Sequence, residues 1–214
     1  MSVSGHKSCY KPPTTRFRMR RVSIRRLAAL AAPAGVVVSA TGILAVALLV
    51  PFDPVTQAIS ELGDPSAPYS SVFNATFVVS GVVALPFAAL LAVEARNLYE
   101  TAGAVLVAVS FVALSGIGLF PIGHPYHVPA AVSHYTAFTV ALWVHGTGEA
   151  VAGETRRGLA AVWFGNANVV VWATWVFWRA YAPGLAIPEA LGAAGYISWI
   201  LLTARRLYMY NSEA

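Results

Sequence analysis

The chain has 214 residues, of which 57% are hydrophobic and only 11% charged, whereas a soluble domain carries roughly 25% charged residues. A mean hydropathy of +0.65 makes lipid the expected solvent and excludes an ordinary soluble globule. The net charge of +5 is concentrated, since eight of the fourteen Lys and Arg residues lie between Lys7 and Arg26 with no aromatic stacking platform beside them; this is a lipid-facing flank rather than a nucleic-acid face.

The basic stretch 1–26 also holds the single cysteine, Cys9, so neither a disulfide nor a cysteine metal site can form within one chain. Six apolar segments follow, approximately 27–50, 73–93, 101–120, 128–144, 159–178 and 184–204. Each is close to the about 20 residues that cross a ~30 Å hydrocarbon layer as a helix. The first contains Ala45-Val46-Ala47 but is too long for the hydrophobic core of a cleaved signal.

Six spans put the basic stretch, the loops 94–100 and 145–158, and the chain after the last span (Arg205, Arg206 and the tail 208–214) on one side. That side carries thirteen Lys and Arg residues and the other only Arg179, which places both termini in the cytoplasm of a cell-membrane protein. The expected class is an all-α integral membrane protein: one six-helix transmembrane bundle over 27–207, with a short outer interfacial helix.

That outer helix is expected between Asp53-Pro54, a start signal, and Gly63, a stop. Val55, Ile59 and Leu62 would share its apolar face and Gln57 and Glu61 its polar one. Pro33 and Pro86 allow kinks, and Gly116, Gly118, Gly192 and Gly195 allow close helix approach. Asn166 and Asn168 point to different sides and need two interhelical partners. Trp172, Trp175 and Trp178 read as packing or interfacial groups, and Gly146-Thr147-Gly148 as a turn, since it lacks the rest of a phosphate loop.

Polar groups beside a membrane are costly and collect here on the outer side. The second outer loop brings His124 and His127, and His134 follows seven residues later. His127 and His134 would face the same way about 10 Å apart along a helix, able to line one cavity but not to bind one ion together. His124 and His127 can meet Glu61 or Asp64, a set that admits zinc or activates water; the spacing lacks a metal-family pattern, and no cofactor is expected. Ser60, Glu61, Asp64 and His127 are the catalytic candidates. Glu61, Asn74, His127, His134, Arg179 and Glu189 are the ligand-binding candidates, with Glu189 in the first turn of the last span and Arg179 a partner for it or for a lipid phosphate.

The series Ile59-Ser60-Glu61-Leu62-Gly63, Phe73-Asn74, Gly81, Gly116-Ile117-Gly118-Leu119-Phe120-Pro121, then His127 with Ala130-Ala131 resembles the prokaryotic membrane family called domain of unknown function 998. That family is more distantly similar to the Frag1/DRAM/Sfk1 group of six-span proteins. The resemblance covers approximately 27–205 and implies a shared outer site of Ser60, Glu61, Gly63, Asn74, Phe120, Pro121 and His127; at His134 the family pattern tends toward an aromatic residue. The distant group's links to lipid remodelling and organisation imply a lipid-facing role.

The leading expectation is therefore a non-transporting membrane protein that binds or organises lipid, or supports a membrane-protein partner, through the outer cluster. A hydrolase or remodelling enzyme acting on lipid headgroups or esters, metal-dependent or not, is the alternative. A small transporter comes third, because six spans show no repeat and few buried charges.

Overall fold

A computed structural model describes residues 15–213, with side chains for 24–209; Cys9 and most of the basic stretch's side chains lie outside the described residues. The chain forms α1 (Thr15–Leu49), α2 (Ser70–Glu94), α3 (Leu98–Leu119), α4 (His127–Val151), α5 (Thr155–Trp178) and α6 (Ala186–Glu213), with no strand among the described residues. Each helix packs on its neighbour in sequence and α1 closes on α6. A further contact between α4 and α6 leaves α5 bracing this ring from outside.

Five helical segments, Ile24–Leu49, Ser70–Glu94, Leu98–Leu119, Thr155–Trp178 and Ala186–Met209, are long and apolar enough to cross a membrane, the signature of a multi-pass membrane protein. Val37, Leu44, Val112, Val132, Val170 and Leu202 are exposed on the outside of the ring, where lipid would be their natural solvent. The remaining helix, α4, has 25 residues but is less apolar. Five of its polar side chains, His127, His134, Thr139, His145 and Glu149, are buried, while Ser133, Thr136 and Thr147 are exposed.

Two short links, 95–97 and 152–154, lie on one face with the start of α1 and the end of α6, here called the terminal face. The Asn97 side chain caps α3 by accepting from the Glu100 amide at 3.0 Å. Gly153, at φ 91°, ends α4 while the Glu154 amide donates to the Glu149 carbonyl at 2.8 Å, the helix ending that glycine favours. The longer links 50–69, 120–126 and 179–185 form the opposite, loop face.

Two expectations about local structure are corrected. The single helix expected over 53–63 is instead a turn at Asp53 followed by a 3₁₀ turn, Ile59–Gly63. The reason is competition for backbone groups. An α-helix would join the Ile59 amide to the Val55 carbonyl, but that carbonyl accepts from the Gly184 amide at 2.9 Å, the Gln57 carbonyl accepts from the Ala186 amide at 3.0 Å, and the Ile59 amide donates to Glu189 at 2.7 Å. The turn expected at Gly146-Thr147-Gly148 is instead helix. Gly146 and Gly148 are contact points: a β-carbon at Gly146 would sit 2.7 Å from the Gly158 carbonyl oxygen, and one at Gly148 the same distance from the Glu100 amide nitrogen.

Candidate functional site

Two packed clusters leave a space between them. Toward the terminal face, Phe87, Leu91, Val107, Phe138, Trp199 and Ile200 form the main core; under the 50–69 loop, Val46, Leu62 and Phe73 form a smaller one. Between them lies a cavity of about 150 Å³ lined by α1, α2, α3, α4 and α6, with Ile59 and Ser60 lining it from the loop face. Its walls differ in chemistry. Val36, Ile43, Phe77, Phe111, Leu114 and Ile117 make an apolar wall on α1 to α3, whereas α4 and α6 contribute His127, His134, Tyr135, Glu189 and Tyr196.

Hydrogen bonds fix the polar wall. The Ser110 hydroxyl donates to the His134 carbonyl at 3.0 Å, and His134 Nδ1 lies 2.8 Å from the Ser110 hydroxyl oxygen and 3.0 Å from the Ser110 carbonyl oxygen. A carbonyl only accepts, so Nδ1 carries the proton and Nε2 accepts from the Tyr196 hydroxyl at 3.1 Å. The same logic applies to His127, whose Nδ1 donates to the Phe120 carbonyl at 2.7 Å and whose Nε2 is left as an acceptor. Tyr135 donates to the Glu189 carbonyl at 3.0 Å, and Glu189 Oε2 accepts from the Ile59 amide. Among the described residues, Ser60 Oγ, His127 Nε2 and Glu189 Oε1 make no hydrogen bond, while their residues line the cavity.

The expected site residues divide accordingly. Ser60, His127, His134 and Glu189 meet at the cavity, and Glu189 stands in the first turn of α6 as expected. Asn74 donates to the Gly63 carbonyl at 2.9 Å, tying the 3₁₀ turn to α2. Glu61 is spent locally, accepting from the Ala58 amide at 2.9 Å and the Gln57 amide side chain at 3.3 Å. Asp64 accepts from the Ser66 hydroxyl and amide, which hold its carboxyl below the usual aspartate range; the Val55 amide and then the Thr56 hydroxyl do the same for Asp53.

His124 does not join His127 and an acid. It is exposed and stacks on Phe120 at 4.9 Å, because the Tyr126 amide donates to its Nδ1 at 3.2 Å. Among the described residues no three His, Cys, Asp or Glu side chains converge as metal ligands. Arg179 is exposed and makes no ion pair with Glu189, whose carboxylate is taken by the Ile59 amide instead. Asn166 and Asn168 do find separate partners on α4, Trp143 and Thr139; Asn168 Oδ1 and Trp172 Nε1 remain buried without a hydrogen bond.

A second polar cluster on the terminal face had no place in the sequence expectations. Arg96 pairs with Glu100 at 2.6 Å and reaches Glu154 at 3.8 Å, Arg157 pairs with Glu154 at 3.1 Å, Arg206 with Glu149 at 2.5 Å and Arg25 with Glu94 at 2.6 Å. Most of these residues, with His145, border a cavity of about 410 Å³. The available signal was that four of the nine acidic residues flank the two short links.

A family model described as "Protein of unknown function (DUF998)" matches residues 30–206. A polyprenol-phosphate-mannose–protein mannosyltransferase from Corynebacterium glutamicum is 30% identical over 69 residues, covering 30% of this chain and 13% of that protein. The chain thus spans a small part of that relative's length. No solved structure matches the chain.

Proposed function

The chain belongs to the DUF998 family, and we propose that it binds a membrane lipid in the cavity beneath its loop face, with α4 serving as a sixth span and both termini in the cytoplasm of a cell-membrane protein. The lipid's head group meets Ser60, His127 and Glu189, the first carbons of its tail lie along the wall formed by α1 to α3, and the rest of the tail extends into the bilayer, since about 150 Å³ holds a head group and not a whole chain. One observation carries this reading: the cavity is two-faced, with an apolar wall opposite a polar one that keeps His127 Nε2 and Glu189 Oε1 unspent. Ligand sites combine apolar surface with a few placed polar groups in this way. Retaining such a lipid, the protein organises the surrounding membrane or supports a membrane-protein partner.

Binding is favoured over hydrolysis by the surroundings of His127. The acid–histidine pair expected for water activation does not form: His127 Nδ1 meets the Phe120 carbonyl, and Glu61 and Asp64 are engaged in their own loop. The test is to fill the cavity. Ala193→Phe on α6 and Ala40→Phe on α1 each place a ring in the lining. Both are expected to copurify with several-fold less lipid, at a stability cost of about 1–3 kcal/mol. Undiminished lipid in both folded variants would overturn the reading.

A further inference from the structure

The chemistry of the lining narrows the ligand, resting on the reading of this cavity as a lipid site. Among the described residues no Lys or Arg lines it, and its one carboxylic acid is Glu189. The three unspent groups near the loop face are a carboxylate oxygen, an imidazole nitrogen that accepts, and a hydroxyl. Glu189 is held in place from two elements, its Oε2 by the Ile59 amide and its backbone carbonyl by the Tyr135 hydroxyl, so Oε1 remains for the ligand. A phosphate entering here would meet a carboxylate and a second acceptor, with the Ser60 hydroxyl as its donor. Burying a phosphate's charge among acceptors with no cation to pair it is strongly unfavourable.

We propose that the cavity selects lipids whose head group donates hydrogen bonds and bears no negative charge, an alcohol-headed lipid such as a diacylglycerol being the type. One hydroxyl of such a head group donates to Glu189 Oε1 or His127 Nε2 and accepts from Ser60. The apolar wall of α1 to α3 takes either an acyl or an isoprenoid chain, so selection resides in the head group. A phosphorylated lipid is refused for what the polar wall lacks.

The experiment is competition binding followed by native mass spectrometry. Detergent-purified full chain is offered equal amounts of dioleoylglycerol and dioleoyl phosphatidate, which share their tails and differ in the phosphate. Dioleoylglycerol is expected to be bound at least about tenfold in preference, since a buried phosphate left without a cation costs at least the ~1.4 kcal/mol that tenfold represents. Glu189→Gln keeps an oxygen for the Ile59 amide and replaces the acid with an amide that donates; it is expected to narrow the preference by raising phosphatidate binding. Serine 60 gives a second reading that leaves the helices untouched: Ser60→Ala is expected to weaken dioleoylglycerol binding several-fold. Equal binding of the two lipids, displaced in both cases by Ala193→Phe, would overturn the head-group inference and leave the lipid site standing. Binding of neither, or binding indifferent to Ala193→Phe and Ala40→Phe, would overturn the lipid site and the selectivity with it.

Discussion

Glu100 and Glu154 both pair with Arg96, but their surroundings make them unequal. The Glu100 side chain is 3% exposed and takes the Arg96 guanidinium and the Arg96 amide together, a contact that raises the guanidinium's pKa above its ordinary value. Glu154 is 38% exposed and shared between Arg96 and Arg157. Removing one partner of a buried pair leaves an uncompensated charge and costs ~3–5 kcal/mol, whereas exposed pairs are worth about 0–1 kcal/mol. Thermal melts in detergent should therefore show a large drop for Arg96→Gln and for Arg206→Gln, which strand the buried carboxylates of Glu100 and Glu149, the latter 4% exposed, and almost none for Arg157→Gln, which leaves the exposed Glu154. Equal drops would mean that the terminal-face cluster is a solvated array. This cluster was only half legible: counting Lys and Arg located the basic positions, but nothing in the spacing of Glu94, Glu100, Glu149 and Glu154 shows that two of them are buried. Ser60, His127 and Glu189 were individually legible as polar groups near helix ends. Their convergence on one cavity depends on how α4 and α6 flank it, which a linear pattern does not contain.

Helices were easier to read than loops, because a run of apolar residues carries its own evidence. All six helices stand where apolar segments were expected, although α1, α4 and α6 run longer. The misread segments, 53–63 and 146–149, share a cause: their hydrogen-bond partners or contact surfaces lie elsewhere in the chain, on the 179–185 link for the first and on α3 and α5 for the second. Glycine in a span has the same ambiguity until the neighbour is known. A β-carbon at Gly118 would clash with the Asn74 carbonyl oxygen on α2, while one at Gly116 would lie 3.2 Å from the Ala130 methyl group on α4. Backbone cannot swing aside as a side chain can. Gly118→Ala is thus expected to force α2 and α3 apart at a cost of about 1–3 kcal/mol, and Gly116→Ala to cost clearly less. Paired melts of the two variants check this, and a reversed order would contradict the α2–α3 crossing.

The orientation and span number of the entire bundle come down to whether α4 crosses. Its deficit in apolar residues is explained by His127, His134, His145 and Glu149 facing other helices and the two cavities, leaving Val128, Val132 and Val151 on its exposed side. A helix of 25 residues extends ~37 Å at 1.5 Å per residue, enough for the hydrocarbon layer. The charge asymmetry survives the ion pairs on the terminal face, because orientation follows Lys and Arg in short flanking segments and acidic residues contribute little. Ser66 and Thr155 are exposed on opposite faces, and introducing a cysteine at each in a Cys9→Ser background reads both questions at once. An impermeant maleimide applied to intact cells is expected to label Ser66→Cys and to reach Thr155→Cys only after lysis. The reverse pattern would invert the topology. Labelling of both from outside would mean that α4 does not cross, since five spans put 120–126 and 152–154 on the same side of the membrane.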